Sequence, residues 1–327
     1  MSNSVRISII VLTYKKFDNL QNNIKSIISQ NYTDYEVIVS DDGSPDLNAD
    51  FIYSLFPGNR TDERFHLITR AENIGTVKNY NEAVKAAHGD IIVPLSQDDC
   101  FYNENVLNVI AKAFDDTETN ICLGLRKTLD KNEYLPNRYQ SDLISEGNSK
   151  KIWFRNACKN MCYGACLYWR RDFLLDMGLF DEDYRLLEDY PMIMKCIENG
   201  EHIKVISTPT IIWDYKGLSG IPKKTGPLAD DQFKFDQSMY KKALTILNSK
   251  VCRKYMYYKT SYLDKNGFKY KIYRYLSVDW IILFTKIVTK INKKPLMDYR
   301  FELLWNLECK ATNKKKRHDS SVDRILS

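Results

Sequence analysis

Two pairs of adjacent aspartates follow apolar segments of the chain. Asp41 and Asp42 come directly after YEVIVS, and Asp98 and Asp99 come one residue after DIIVPLS. Aspartate at the end of an apolar segment is typical of a turn or a helix cap. It is also typical of a site for a hard divalent cation, because carboxylate oxygens are the ligands that such ions prefer. Each pair taken alone leaves both interpretations open.

The elements around these pairs alternate between strand and helix. The predicted strands are RISIIVLT, YEVIVS, FHLITR and DIIVPLS. The predicted helices are FDNLQNNIKSIISQ and TVKNYNEAVKAA. This alternation predicts an α/β fold with a Rossmann-like, mainly parallel sheet flanked by helices. Because ligands bind beyond the carboxyl ends of parallel strands, the two Asp pairs are expected to form one anionic pocket, which a cation or hydrogen-bond donors must neutralise.

Composition and missing motifs exclude several classes of protein. A chain of 327 residues with 44% hydrophobic residues can bury a substantial core, which excludes a disordered protein. No apolar run approaches the roughly 20 residues of a membrane-spanning helix, and no signal peptide is recognisable. No glycine-rich phosphate loop follows the first strand, which argues against a dinucleotide-binding domain and a P-loop enzyme. The eight scattered cysteines favour reduced thiols and a cytoplasmic location.

Charge is distributed unevenly along the chain. Residues 241–327 contain 21 Lys and Arg against 7 Asp and Glu, whereas residues 1–240 contain 27 against 35. We therefore predict a catalytic domain over residues 1–240 and a basic, helical C-terminal region over residues 241–327, which ends in a flexible tail at KKKRHDSSVDR. Nucleic acid is not an expected partner, because no recognised nucleic-acid-binding module accompanies the charge.

The basic region contains one predicted amphipathic helix. Its apolar residues recur at helical spacing: Tyr273, Leu276, Trp280, Phe284, Ile287 and Ile291. Lys286, Lys290 and Lys293 lie elsewhere on the same predicted helix. Such a helix either packs on the catalytic domain or rests on an anionic membrane surface, and the pattern leaves both interpretations open. The second interpretation places the protein peripherally on the inner face of the cell membrane.

Three longer stretches, which follow ISIIVLTY in order, together resemble glycosyltransferase family 2, the inverting enzymes of the GT-A fold. They are ISQNYTDYEVIVSDDGSPD, ENIGTVKNYNEAVKAAHGDIIVPLSQDD and GACLYWRRDFLLDMGLFDEDYRLLEDYPMIMKCIENG. The resemblance covers about residues 5–215 and extends to enzymes of bacterial surface polysaccharides. It implies a GT-A fold with a nucleotide-sugar half over about residues 1–125 and an acceptor half over about residues 126–240.

The resemblance also implies which residues bind the donor. They are Thr13, Tyr14, Asp42, Asn73, Lys78 and Asp98. Thr13 and Tyr14 match a loop beside the nucleobase, Asp42 would accept a hydrogen bond from the base, and Asp98 would lie near the ribose. Lys78 stands where the family more often has arginine, so it supplies a point charge in place of a bidentate contact. The expected nucleotide is UDP.

The same resemblance implies Asp99 as the ligand of a Mn²⁺ or Mg²⁺ cofactor and Asp189 as the general base. Many members carry D-x-D-D where this chain begins the motif with Ser96, so metal binding is expected to depend more heavily on Asp99. From the residues alone, the Glu188-Asp189 pair is more typical of an acidic helix N-terminus than of a catalytic site. Glu188 and Trp213 are implied on the acceptor side or as supporting residues.

The expected reaction is an inverting sugar transfer from a nucleoside diphosphate to an acceptor hydroxyl. The expected acceptor is a glycan or a polyprenyl-diphosphate-linked oligosaccharide in the synthesis of a bacterial surface polysaccharide. Two alternatives stay open. A sugar nucleotidyltransferase also needs acidic metal ligands, although it typically has a glycine-rich loop after its first strand. A nucleotide-sugar-binding protein with an inactive site would retain the same donor residues.

Overall fold

The computed structural model describes residues 6–129, 133–213, 225–260, 285 and 296–326. The chain forms two compact units. The first comprises Met1–Gly147 and Met161–Asp231, and the second comprises Asn148–Asn160 and Gln232–Ser327. The predicted division at residue 240 stays a prediction beside this observed one, in which residues 148–160 join the later helices.

Within the described residues, the first unit is built on one mixed sheet of nine strands. The strands are β1 Ile7–Thr13, β2 Tyr35–Asp41, β3 Phe65–Ile68, β4 Ile91–Pro94, β5 Cys100–Phe101, β6 Ile121–Thr128, β7 Tyr134–Leu135, β8 Leu167–Arg170 and β9 Ile203–Trp213. Their order is β3-β2-β1-β4-β8-β6-β9-β5, and β7 pairs with β6. The α-helices in chain order are α1 Leu20–Ile28, α2 Ala49–Ser54, α3 Thr76–Ala86, α4 Val106–Ala113, α5 Arg138–Glu146, α6 Ser149–Cys158, α7 Arg171–Asp176, α8 Asp189–Glu198, α9 Pro227–Ile246, α10 Lys250–Thr260 and α11 Leu296–Leu326. This architecture confirms the predicted α/β class.

Parallel pairing brings the first set of predicted site residues to one edge of the sheet. β2 pairs in parallel with β1 and β3, and β1 pairs in parallel with β4. β1 and β2 are buried along almost their whole length, as expected for parallel strands with both faces covered. The carboxyl ends of these strands lie at the same edge, so the two Asp pairs meet there. We call this the carboxyl edge.

Antiparallel strands add residues to the carboxyl edge that the sequence did not place there. β8 runs antiparallel to both β4 and β6, and β9 runs parallel to β6. β6 and β9 therefore run in the direction of β4, and β8 begins where they end. Arg126 in β6 and Trp213 in β9 are thus near this edge, together with the short 3-10 turn Gly164–Cys166 that precedes β8.

The second unit is helical and contains a buried ion pair between α6 and α11. Nη2 of Arg155 donates to Oδ1 of Asp298 at 2.6 Å, and the two side chains are 1% and 8% exposed. Nη1 of Arg155 donates to the carbonyl oxygen of Lys159 at 2.9 Å. The rings of Phe154 and Phe301 pack edge to face beside this pair, with centroids 5.5 Å apart. These contacts explain why α6 groups with the later helices.

Helix α11 extends through the C-terminal segment KKKRHDSSVDR as far as Leu326. The flexible tail that the sequence predicts for this segment stays a prediction. No glycine or proline interrupts residues 296–327, and lysine and arginine favour helix. The predicted apolar face from Tyr273 to Ile291 lies outside the described residues. Among the helices that the structure describes, none is both long enough and apolar enough to span a bilayer.

We expect Asp298→Ala to lower the free energy of unfolding by about 3–5 kcal/mol, because it leaves the buried guanidinium of Arg155 without its carboxylate. Urea unfolding of the full chain measures this loss. Glu302→Ala is the matched control on the same helix. Its pair with Lys151 is partly exposed, with side chains 36% and 23% exposed, so the expected loss is below about 1 kcal/mol. Similar losses in both variants would contradict the assignment.

Candidate active site

The first aspartate of the Asp41-Asp42 pair shapes the turn after β2. Asp41 is fully buried, and its carboxylate accepts hydrogen bonds from the Thr13 hydroxyl at 2.8 Å and from the N–H and hydroxyl of Ser44, each at 2.7 Å. Gly43 has φ +74°, and a Cβ there would lie 2.5 Å from the carbonyl carbon of Glu72. Only glycine fits this turn, which holds the loop after β3 close to β2.

The second aspartate, Asp42, fastens that loop to the carboxyl edge. Its Oδ2 accepts hydrogen bonds from Nδ2 of Asn73 at 2.7 Å and from the N–H of Gly75 at 3.0 Å, and its Oδ1 accepts one from the N–H of Ile74 at 2.8 Å. Burial raises the pKa of Asp42, and these backbone donors oppose the rise. Arg185 in turn donates two hydrogen bonds to Asn73. The structure therefore brings two predicted donor-binding residues, Asp42 and Asn73, into direct contact.

The other predicted donor residues on this side differ in exposure. Tyr14 is 38% exposed, and Nζ of Lys15 lies 4.9 Å from the centroid of its ring. Lys78 is exposed on α3. Thr13, in contrast, is buried, and its hydroxyl is engaged by Asp41. Tyr14 and Lys78 thus present side chains to solvent, whereas Thr13 supports the turn behind them.

The Asp98-Asp99 pair lies in a turn that α1 holds in place. Nδ2 of Asn23, a buried residue of α1, donates to the carbonyl oxygens of Ser96 at 2.8 Å and of Asp99 at 2.7 Å. The N–H of Asp99 donates to the carbonyl oxygen of Ser96 at 2.8 Å. Asp99 is buried and Asp98 is partly exposed. Two carboxylates in one fixed turn fit a hard divalent cation, because Mg²⁺ sites commonly combine one or two carboxylates with substrate phosphates and water.

The Glu188-Asp189 pair stands at the start of α8, where two backbone groups hold the carboxylate of Asp189. Its Oδ2 accepts a hydrogen bond from the N–H of Gly164 at 2.9 Å, and its Oδ1 accepts one from the N–H of Tyr190 at 2.7 Å. A Cβ on Gly164 would lie 3.1 Å from both Cβ and Oδ2 of Asp189. Glycine at this position therefore permits the close approach that fixes the carboxylate.

The two carboxyl groups of this pair differ in how strongly they bind a proton. Burial raises the pKa of Glu188 to about 8, and the charges of Asp189 and Asp231 add to the rise. Burial also raises the pKa of Asp189, but the N–H groups of Gly164 and Tyr190 and the charge of Arg126 oppose that rise. Near neutral pH, Glu188 therefore holds the proton and Asp189 holds the negative charge.

Arg126 supplies the positive charge beside Asp189. Its guanidinium lies between two aromatic rings, 3.7 Å from the ring centroid of Tyr163 and 4.1 Å from that of Trp213. Its Nε is buried and has no hydrogen-bond partner among the residues that the structure describes. The ring of Trp213, a predicted site residue, thus stacks on the cation whose charge opposes the rise in the pKa of Asp189.

The buried thiol of Cys166 shows that these groups converge. Burial raises the pKa of Cys166 to about 12. The positive charge of Arg126 lowers this pKa, and the negative charges of Asp99 and Asp189 raise it. The Asp99 turn after β4, the start of α8 and the end of β6 therefore all lie near Cys166. This arrangement can hold a cation beside an ionised carboxylate whose Oδ atoms are fixed by the backbone.

Comparison with known proteins identifies the family. The model described as glycosyl transferase family 2 matches residues 8–176, which is more than half of the chain. The chain belongs to glycosyl transferase family 2. EpsJ of Bacillus subtilis, described as an uncharacterized glycosyltransferase, is 24% identical over 249 residues, which cover 74% of this chain and 70% of EpsJ.

A polysaccharide synthase and a solved structure are also similar to this chain. The poly-β-1,6-N-acetyl-D-glucosamine synthase of Staphylococcus aureus is 22% identical over 199 residues, which cover 61% of this chain and 47% of the synthase. The crystal structure of S. aureus TarS residues 1–349 in complex with UDP-GlcNAc has a TM-score of 0.58 at 18% identity, and the match covers 87% of this chain and 81% of that one. The structural likeness confirms the predicted GT-A fold.

Three residues of this family 2 site were missed by sequence reasoning: Arg126, Tyr163 and Gly164. Arg126 and Tyr163 lie outside the stretches that carry the family resemblance, and Gly164 is the first residue of the third stretch. Arg126 meets Tyr163 and Trp213 only because β6, β8 and β9 assemble in the antiparallel half of the sheet. The resemblance that begins at GACLYW is the signal that pointed to this region, since the 3-10 turn Gly164–Cys166 opens that stretch.

We expect Glu188→Gln to stabilise the protein progressively as pH rises. The folded state keeps the proton of Glu188 up to a pKa of about 8, against 4.5 for the ordinary group. Wild-type stability therefore falls between these values, because the unfolded state binds fewer protons, whereas the neutral variant has no such loss. The free energy of unfolding of the variant should exceed that of the wild type by about 1–3 kcal/mol at alkaline pH, with allowance for partial solvent screening. Near pH 4.5 the two should be almost equal.

Urea unfolding at mildly acidic and at alkaline pH measures this difference. Glu198→Gln changes an exposed glutamate of the same helix and is the matched control. It should differ from the wild type by the same amount at both pH values. A Glu188 variant whose advantage does not grow with pH would show that Glu188 is already ionised at neutral pH.

Proposed function

We propose that the protein is an inverting glycosyltransferase that moves a sugar from a UDP-linked donor to an acceptor hydroxyl. The observation that carries this proposal is the carboxylate of Asp189, which two backbone N–H groups hold at the same sheet edge as the Asp98-Asp99 turn. Membership of glycosyl transferase family 2 supports the reaction class. It argues against the alternative of a sugar nucleotidyltransferase. An inactive nucleotide-sugar-binding protein is tested by the experiment below.

Asp189 has the properties of a general base for this reaction. A carboxylate base must be ionised and held rigidly. Its pKa should lie above that of an ordinary carboxyl group and below the pH of the medium. Asp189 carries the negative charge of the Glu188-Asp189 pair, and two backbone N–H groups fix its orientation. It would accept the proton of the acceptor hydroxyl as that oxygen attacks the anomeric carbon. Protonated Glu188 prevents a second negative charge from building up beside it.

The donor is proposed to lie across the ends of β1, β2 and β4. Tyr14 and the loop fastened by Asp42 would border the nucleobase, Asp98 the ribose, and Lys78 the phosphates. A Mn²⁺ or Mg²⁺ ion held by Asp99 would neutralise negative charge on the diphosphate leaving group. The oxygen-only character of the Asp98-Asp99 turn supports such an ion. The choice of UDP is supported by the TarS complex with UDP-GlcNAc.

The acceptor is proposed to be a glycan or a polyprenyl-diphosphate-linked oligosaccharide of a bacterial surface polysaccharide. The similar synthase of S. aureus is named for a polysaccharide, which supports this class. The ring of Trp213 stacked on Arg126 offers an aromatic surface next to Asp189, suited to the apolar face of a sugar. A cytoplasmic location, peripheral to an anionic membrane, belongs to the same proposal and rests on the basic composition of residues 241–327.

The catalytic and metal roles can be separated by two conservative variants. Asp189→Asn should reduce kcat by about 10³-fold or more, because the base is lost, while UDP-sugar still binds with Mn²⁺. Asp99→Asn should abolish the increase in UDP-sugar affinity that Mn²⁺ produces. Donor hydrolysis over a panel of nucleotide sugars, with and without Mn²⁺, and calorimetric binding of UDP measure these outcomes. A fully active Asp189 variant would overturn the base assignment, and no turnover of any donor by the wild type would favour the inactive binding protein.

Arg126 is expected to set the acid limb of the pH–rate profile. Removing its charge in Arg126→Gln should raise the pKa of Asp189 and move the acid limb of kcat/KM upward by roughly 1 pH unit. Arg126→Lys is the matched control, because it keeps the charge but loses the flat stacking surface. It should leave the acid limb near its wild-type position and raise KM for the acceptor. The same acid limb in wild type and in the glutamine variant would contradict this role.

A further inference from the structure

Three potential metal ligands lie together at the end of the sheet opposite the carboxyl edge. Glu36 is the second residue of β2, His66 belongs to β3, and His88 follows α3. His66 is paired with Ile38 in the register of β2 and β3, so it shares a face of the sheet with Glu36 two residues earlier. Glu36 lies five residues before Asp41, a distance of about 16 Å along β2. This cluster is therefore separate from the proposed donor site.

The ligand atoms of the three side chains point to one position. Oε2 of Glu36 lies 3.3 Å from Nε2 of His66 and 3.1 Å from Nδ1 of His88. All three atoms lie within 4.8 Å of one another. Within the described parts of the chain, this is the one group of three or more Cys, His, Asp or Glu side chains that meets this criterion.

The carboxylate of Glu36 is positioned before any ion binds. Its Oε1 accepts hydrogen bonds from the Ser8 hydroxyl at 2.5 Å and from the N–H of His88 at 2.6 Å, which leaves Oε2 directed toward the two imidazoles. Gly89 brings this loop against β1, because a Cβ there would lie 2.6 Å from the backbone nitrogen of Ser8. Burial raises the pKa of Glu36, but the Ser8 and His88 donors outweigh it and lower the pKa overall. Supporting hydrogen bonds of this kind are typical around metal ligands.

From this geometry we propose that Glu36, His66 and His88 bind a divalent transition-metal ion of the Zn²⁺ type. Tetrahedral zinc with ligand distances of about 2.0–2.1 Å requires its ligand atoms to be about 3.3 Å apart. Both distances from Glu36 already match this value. The two imidazole nitrogens must approach each other, and the side chain of His88, which is 72% exposed, has room for this adjustment. Solvent completes the fourth position.

The ion would connect three segments of the sheet that are distant in sequence. β3 is the terminal strand of the sheet and pairs only with β2 among the described strands. A bond from His66 to a shared ion would fasten this edge strand to β2 and to the loop before β4. A ligand set with one carboxylate and two imidazoles suits Zn²⁺, whereas Mg²⁺ prefers oxygen ligands. The expected effect is therefore on stability and not on the chemistry at the carboxyl edge.

Zinc binding to the full-length chain tests the proposal. Chelator-treated protein carrying Asp99→Asn, which removes the proposed catalytic ligand, is titrated with Zn²⁺ against a chromophoric chelator near neutral pH. One Zn²⁺ per chain is expected. His66→Asn and His88→Asn should each weaken this binding by about 100-fold, because each removes one ligand. His202→Asn, at an exposed histidine outside the cluster, is the matched control and should bind like its parent.

A second readout separates the site from non-specific binding. Saturating Zn²⁺ should raise the melting temperature of the parent and of the His202 variant by several degrees, and should not raise that of the His66 or His88 variants. Circular dichroism establishes that all variants are folded. Unchanged zinc affinity in the His66 and His88 variants would overturn the proposal, as would a folded parent protein that binds no Zn²⁺. Both results are independent of whether the protein transfers a sugar.

Discussion

The carboxyl edge depends on one constraint, which is that Glu188 and Asp189 are not both ionised near neutral pH. Adjacent carboxyl groups in a partly buried position repel each other when charged, so the pair carries one negative charge near neutral pH. The fold decides which group carries it. The N–H groups of Gly164 and Tyr190 donate to Asp189, and the guanidinium of Arg126 lies on the same side. The antiparallel strands that deliver these groups are therefore as necessary to the site as the motifs themselves.

The same division of labour occurs in the first aspartate pair. The buried carboxylate of Asp41 accepts hydrogen bonds from Thr13 and Ser44 and thereby stabilises the turn. The carboxylate of Asp42 accepts hydrogen bonds from the loop after β3 and holds that loop in place. Sequence reasoning treated each pair as a source of anionic charge for a ligand. In the structure, Asp41 fixes the conformation of the turn, and this turn positions Asp42 to bind the loop after β3. Fixing the loop through Asp42 also explains why Asn73, 31 residues later, lies at the same edge.

Features that depend on local sequence pattern could be predicted from the sequence, whereas contacts between residues distant in the sequence could not. β1, β2 and β4 are continuous apolar segments, so their strand character and the meeting of the two Asp pairs follow from local pattern and parallel topology. The position of Arg126 does not, because it requires Tyr163 from the turn before β8 and Trp213 from β9 to lie on either side of its guanidinium. The C-terminal segment KKKRHDSSVDR carries two opposing local signals: its charge predicts a flexible tail, whereas helix propensity without an interrupting glycine or proline favours the continuation of α11 that the structure describes.

The two ends of the parallel strands offer different ligand chemistry, and this difference bears on both proposed metal sites. Zn²⁺ binds most mixed nitrogen and oxygen sites more tightly than Mg²⁺ or Mn²⁺ does, so a histidine beside Asp99 would favour the wrong ion for a diphosphate. The Asp98-Asp99 turn offers carboxylate oxygens, which suit Mg²⁺ and Mn²⁺, while the imidazoles of His66 and His88 lie at the opposite end, beside Glu36. Separation along β2 would therefore let one sheet hold a structural transition metal without exposing the sugar-transfer site to it.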